Sequence, residues 1–145
     1  MKIVLQRVLS ASVSVEGRIT GAIGPGYLLL VGLAAGDDET TVRRLAADVA
    51  KARLMSDAQG KMGVNLHDAA GEALAVSQFT LLADFSKGNR PSFNGAAKPD
   101  AARPLFDLFV RELSTILGAT VPTGVFGADM RVELVNDGPV TVVLE

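Results

Sequence analysis

Apolar and polar positions at the start of the chain recur with the two-residue period of a strand. Lys2 to Val8 and Ala11 to Val15 are the first such runs. Val13, Val15 and Ile19 flank Glu16-Gly17-Arg18, which predicts a tight turn. Ile23-Gly24-Pro25-Gly26 predicts a second turn, leading into the apolar strand Tyr27 to Leu33. The period then lengthens. Val42, Leu45, Val49 and Ala52 fall on one helical face, with Asp37 or Asp38 as cap and an end near Met55. After a turn at Ser56-Asp57-Ala58-Gln59-Gly60, Glu72 to Leu82 reads as a strand. A loop rich in Gly, Ser, Asn and Pro follows, from Ala83 to about Lys98. Loops of that length are uncommon and often functional. A second helix covers roughly Ala101 to Leu117, with Phe106, Phe109, Leu113 and Ile116 as its buried stripe. Pro104 is tolerated only in the first turn of that helix. Met130 to Val135 and Val140 to Leu144 make two last strands around a turn at Asn136-Asp137-Gly138-Pro139. The sum is an α+β fold: curved, mostly antiparallel β-sheets with two main helices packed on them, in a single domain spanning residues 1–145.

Composition narrows the chemistry. A hydrophobic fraction of 48% in 145 residues fills a real core. There is no cysteine, which excludes disulfides and thiolate metal sites. A net charge of -2 sets up no global field that would draw nucleic acid, so any RNA contact rests on a local basic patch. Lys87, Arg90 and Lys98 form one candidate, with no acid between the first and the last; on sequence alone an ordinary solvated loop is the better reading of them. The alternation from Met1 to Gly17 is unlike the continuous apolar core of a signal peptide. No run approaches the roughly 18 apolar residues of a membrane helix, so no membrane partner is expected.

Familiar catalytic motifs are missing. The one histidine, His67, lies in Asn65-Leu66-His67-Asp68 and reads as a surface residue rather than the centre of a Ser-His-Asp site. Zinc ligands and a Walker-type loop are lacking, so neither metal nor cofactor is expected. Two segments remain. Ser77-Gln78-Phe79-Thr80 ends an apolar run, and Asn136-Asp137-Gly138-Pro139-Val140-Thr141 joins two strand-like runs. Strand alternation would put Ser77, Phe79 and Leu81 on one face and Gln78 and Thr80 on the other. A solvated edge strand and a plain turn explain the same residues. About 5–6% of X–Pro bonds in folded proteins are cis, so the dipeptide alone does not specify the isomer.

These segments resemble the D-aminoacyl-tRNA deacylase family, of the bacterial D-tyrosyl-tRNA deacylase type. The resemblance runs through Gln6-Arg7-Val8, Ala11-Ser12-Val13, Gly60-Lys61-Met62, Val76 to Leu81 and Arg90-Pro91-Ser92-Phe93. It ends with Thr123 to Met130 and Asn136 to Thr141. The loop Ser86-Lys87-Gly88-Asn89-Arg90 carries fewer basic residues than the family pattern. The resemblance implies a hydrolase that cleaves the ester of D-aminoacyl-tRNA, acting in the cytoplasm as a homodimer with its sites at the subunit interface. It implies that Ser77, Gln78, Phe79 and Thr80 line the pocket for the aminoacylated adenosine. It also implies that Gly138-Pro139 is cis and reaches into the partner's site, held by Arg7.

Such an ester is already activated, so orientation and backbone N–H donors to the oxyanion can suffice. Donors near Phe79 and Thr80 would supply them, with the ribose hydroxyl helping to position or activate water. Thr80 as a covalent nucleophile is the competing mechanism. Chirality would be read by exclusion, with rigid Gly-Pro backbone occupying the space of an L side chain. Glycine has no side chain to exclude, so glycine mischarged on alanine tRNA, Gly-tRNA(Ala), is an expected second substrate. Lys87, Arg90 and Lys98 are the candidate tRNA contacts, at least one of them to phosphate. A non-catalytic RNA-binding protein and a general esterase using Thr80 or Ser77 are the alternative classes.

Overall fold

The computed structural model describes residues 1–145. Its backbone is the 14-residue strand β1, Lys2–Val15, where the sequence pattern predicts two shorter strands. Register shifts around Val8 explain the apparent break, since the extra residues bend the strand and leave Leu9 exposed. Alternation flips there. Ile3 and Leu5 face one core cluster, while Val8, Ala11 and Val13 face another.

The remaining strands assemble on β1. One of its sides pairs antiparallel with β3, Gly26–Gly32, over its first half and with β2, Arg18–Ile23, over its second. A tight turn at Glu16 and Gly17, both at positive φ, closes the β1–β2 hairpin. Helix α1, Glu39–Lys51, is capped by Asp38, whose carboxylate accepts from the Thr41 amide at 2.8 Å. It stops short of Met55, because Met55–Ser56 is β4, paired with β5 at Met62–Val64. Strand β6, Glu72–Ser77, runs parallel to β3, so the sheet is mixed. Helix α2, Pro99–Leu117, opens on Pro99 and ends on Gly118 at φ 66°. Strand β7, Arg131–Leu144, covers the other side of β1 along its length.

Both helices lie on one face of the sheet. Leu45, Val49, Phe109 and Leu113 pack there on Ile3, Leu5, Leu29 and Val31. Each such side chain contributes about 1.5–3 kcal/mol by leaving water. An ion pair from Arg43 to Glu112 joins α1 to α2. The sheet's other face has no helix. There the register sets Val143, Val4, Leu30 and Val76 in one row across β7, β1, β3 and β6. Val143 is 56% exposed.

Four sequence expectations need correction. The strand expected to reach Leu82 ends at Ser77, and Phe79–Leu82 is a 3-10 turn. The face assignment for Ser77 to Leu81 therefore does not hold. Helix α2 begins two residues early, so Pro104 is inside it rather than in its first turn. The proline lacks an N–H for the Asp100 carbonyl, but both residues are exposed and water can satisfy that oxygen. Ile116 is 46% exposed, and Ala102 and Leu108 are buried with Phe106, Phe109 and Leu113. Finally, Asn136-Asp137-Gly138-Pro139 is not a hairpin turn. Both halves of β7 pair with β1, Val8 facing Asn136 and Gln6 facing Thr141. Two steps along β1 thus match five along β7, and the surplus residues bulge outward.

Candidate active site

Strands β3 and β6 are parallel, so their C-terminal ends reach the same edge of the sheet. A cleft of about 560 Å³ opens there. Val31, Val76, Met130 and Val132 line its sheet side, and Phe93, Ala102 and Phe126 the other walls. Lys98 is the only charged residue lining it. Ser77, Gln78 and Phe79 form its rim, and the exposed Thr80 stands just outside the lining.

The rim is shaped by the 3-10 turn. The Gln78 amide donates to Val31 O at 2.8 Å, continuing the parallel ladder by one bond. The chain then turns, and the Leu81 amide donates back to Gln78 O at 3.3 Å. As first residues of the turn, Phe79 and Thr80 have amides with no carbonyl partner inside it. Gly32 permits this close turn: a Cβ there would lie 2.9 Å from Gln78 O and 2.6 Å from Leu82 Cδ2. The Gln78 side-chain amide is hydrogen-bonded to Thr80 Oγ1. Phe79 and Phe93 meet edge to face, with centroids 5.0 Å apart.

The loop from Ala83 to Lys98 is tied down rather than loose. Asp84 and Ser92 exchange two backbone bonds of 2.9 Å, and Ala97 N donates to Leu33 O. The Ser86 amide donates to the Asp84 carboxylate, which lowers the Asp84 pKa below the usual carboxylate value. Lys87 and Arg90 sit on the exposed part of this loop and do not line the cleft, whereas Lys98 does.

The Gly138–Pro139 peptide is cis, and both residues are exposed. Neither lines the cleft of its own chain. Asn136 staples the base of the bulge: its Oδ1 accepts from Val140 N at 2.9 Å and its Nδ2 donates to Thr141 Oγ1 at 3.1 Å. Arg7 anchors the approach to it. Its Nε donates to Asp137 O at 3.0 Å and lies 3.3 Å from the Asp137 carboxylate. Its Nη1 donates to Leu54 O at 2.8 Å. Arg7 is 8% exposed, the one buried charged residue, and its charge is met by these oxygens.

Tyr27 completes the anchor. It faces Arg7 across the β1–β3 ladder, and its hydroxyl donates to Ala52 O at 3.1 Å and accepts from Leu54 N at 3.3 Å. Burial raises the Tyr27 pKa, so the hydroxyl stays protonated at neutral pH. A continuous path of bonds therefore runs from the core through Leu54 and Arg7 to Asp137.

The structure brings Ser77, Gln78, Phe79 and Lys98 together, with Thr80 at their edge. It places Gly138 and Pro139 at a separate point on the surface, with the buried Arg7 bonded to the neighbouring Asp137. His67 is exposed, paired only with Asp68, and lies beside a different and smaller hollow. No three His, Cys, Asp or Glu side chains converge to ligate a metal. Sequence reasoning missed Gly32, Asn136 and Tyr27 as supports, and Phe126, Met130 and Ala102 as walls. The motif Thr123 to Met130 pointed to two of those walls without assigning them a place.

The fold and the cleft thus define a class of site in which an apolar recess adjoins main-chain N–H groups that have no partner within their own turn. Comparison with known proteins gives the family. The model of the D-Tyr-tRNA(Tyr) deacylase family matches residues 4–145. A D-aminoacyl-tRNA deacylase of Chromobacterium violaceum is 54% identical over 145 residues, covering 100% of this chain and 97% of the relative. One of Dechloromonas aromatica is 52% identical with the same coverage. Among solved structures, a c-Myc DNA unwinding element binding protein superposes with a TM-score of 0.93 at 36% identity, covering 100% of this chain and 98% of its own. A probable eukaryotic D-amino acid tRNA deacylase shares the fold, with a TM-score of 0.86 at 15% identity over 99% and 97% of the two chains. The chain belongs to the D-aminoacyl-tRNA deacylase family.

Proposed function

We propose that this chain hydrolyses the ester of D-aminoacyl-tRNA with backbone donors, and that a second copy supplies the chiral filter. Family membership makes it a deacylase, a hydrolase of the aminoacyl-tRNA ester bond. The observation that carries the mechanism is the 3-10 turn on the cleft rim, which presents the Phe79 and Thr80 amides unpaired within the turn. Preorganised N–H groups aimed at a developing oxyanion are the largest single source of rate in many acyl transfers. The apolar cleft suits the terminal adenosine, and the carbonyl then lies at the rim. Ser77 and Gln78 would orient the ester and the attacking water.

The exposed Gly138-Pro139 tip, absent from its own cleft, supports a role in the cleft of a partner copy. On the sheet face without a helix, the exposed Val143 beside the half-buried Val4 and Leu30 supports such a homodimer. Arg7 fixes the tip through Asp137. A backbone wall there excludes an L side chain and admits a D one. It also admits glycine, so Gly-tRNA(Ala) belongs among the substrates.

The test is deacylation of matched D-Tyr-tRNA and L-Tyr-tRNA, read with the sedimenting mass of the active species. Rapid loss of the D form by a dimer, with the L form spared, is the expected result. Loss of both forms would replace chiral exclusion with general esterase activity. Loss of neither would leave an RNA-binding protein.

Thr80 offers a second mechanism, as covalent nucleophile. The contact of its hydroxyl is with the Gln78 amide, not with a base, and the only histidine lies elsewhere. Thr80→Val is therefore expected to keep turnover within about tenfold of wild type, because the main-chain N–H survives the substitution. Abolished turnover with intact tRNA binding would hand the reaction to the hydroxyl.

A further inference from the structure

We infer that Arg103, together with Lys98, grips the RNA phosphates next to the aminoacylated nucleotide. This rests on the reading of the cleft as the site for the terminal adenosine of tRNA. A nucleoside in the cleft must send its 5′ phosphate out through the mouth, so the charges around that mouth decide where the strand runs. Lys98 lines the cleft, and Arg103 stands about one turn further along α2. Its guanidinium carbon lies 4.9 Å from the ring centroid of Phe126, a cleft wall. Phe126 in turn rests on the buried Phe106, with centroids 6.1 Å apart.

Both cations are free. Lys98 and Arg103 are exposed, and neither takes part in any salt bridge, unlike Arg43, Arg44 and Arg131. Asp100 and Asp107 flank Arg103 on the same helix, yet neither carboxylate comes within 4.0 Å of it. Asp129, next to the Phe126 loop, is held by Arg131. An arginine stacked on an aromatic face is pre-oriented while its N–H edge stays open. That edge matches two phosphate oxygens. Lys87 and Arg90, further out on their loop, have no such support and do not approach the cleft. The phosphate role expected for the loop cations thus falls to Lys98 and to an arginine outside that loop.

The experiment compares Arg103→Met, which keeps an apolar side chain against Phe126, with wild type on two substrates. One is D-Tyr-tRNA. The other is the D-tyrosyl ester of adenosine, which has no phosphate. The expected result is a fall of about tenfold in kcat/KM for the tRNA ester and none for the adenosine ester. Binding of uncharged tRNA, measured against salt, should lose about 0.7 from its log–log slope per phosphate contact removed. Equal losses on both substrates would overturn the proposal by making Arg103 part of the cleft's architecture. An unchanged salt slope would overturn it as well. The slope needs no catalysis, so it still decides the matter if wild type hydrolyses neither ester, a result that would instead defeat the reading of the cleft.

Discussion

Gly32→Ala is expected to lower kcat on D-aminoacyl-tRNA by about 10²–10³-fold, the loss typical of a misplaced oxyanion donor. A methyl group at residue 32 would stand 2.9 Å from Gln78 O and 3.1 Å from Leu81 Cβ. Something must yield, and the sheet holds more firmly than the turn. Residue 32 lies in the ladder with β1, opposite Lys2, whereas Phe79 and Thr80 are exposed at the edge. Overpacking of this kind costs about 1–3 kcal/mol, which a well-packed domain survives. The turn should therefore shift and take its two amides with it. The variant's circular dichroism and thermal midpoint establish that it folds, and single-turnover deacylation reads the effect. Wild-type turnover in a folded Gly32→Ala would show that the placement of this turn does not govern the reaction.

Gly138→Ala should act on selectivity instead. Gly138 has φ 140°, a conformation L residues rarely adopt, and an added Cβ would lie 2.8 Å from Val140 N and 3.3 Å from Arg7 Nη2. The tip must then move, while Asn136 and the paired halves of β7 hold its base. We expect the preference for D-Tyr-tRNA over L-Tyr-tRNA to fall by about 10–200-fold, the range a methyl-sized misfit commands. Most of that change should be gained activity on the L substrate. Unaltered rejection of L-Tyr-tRNA would remove Gly138 from the chiral filter.

The parts of the fold that rest on local signals were legible in the sequence. Val42, Leu45 and Val49 mark α1 at helical spacing, and Asp38 caps it as its position before the helix predicts. The misread parts depend on residues far away along the chain. Leu81 and Leu82 extend an apolar run, so nothing local ends β6 at Ser77. The cause lies about 45 residues upstream, in the space that Gly32 leaves open. Asn136-Asp137-Gly138-Pro139 has the composition of a turn, yet β1 is long enough to pair with both flanks and holds the chain straight. The site followed the same division. Ser77 to Thr80 were identifiable as a motif, but only packing reveals that Ser77, Gln78 and Phe79 line an apolar cleft. Arg103 carries no local signal, because its meaning comes from a phenylalanine in another segment.

The bulge in β7 separates two kinds of tolerance. Either side of it, one residue more or less would exchange the inward Val142 and Leu144 for the outward Thr141 and Val143, and the core would fail. Between Asn136 and Thr141 the count is not bound by any register, so the sheet can absorb a changed length there. The reach of the tip cannot. Length variants in this stretch should fold and melt normally while misjudging chirality, a fault that assays of stability would pass over in silence.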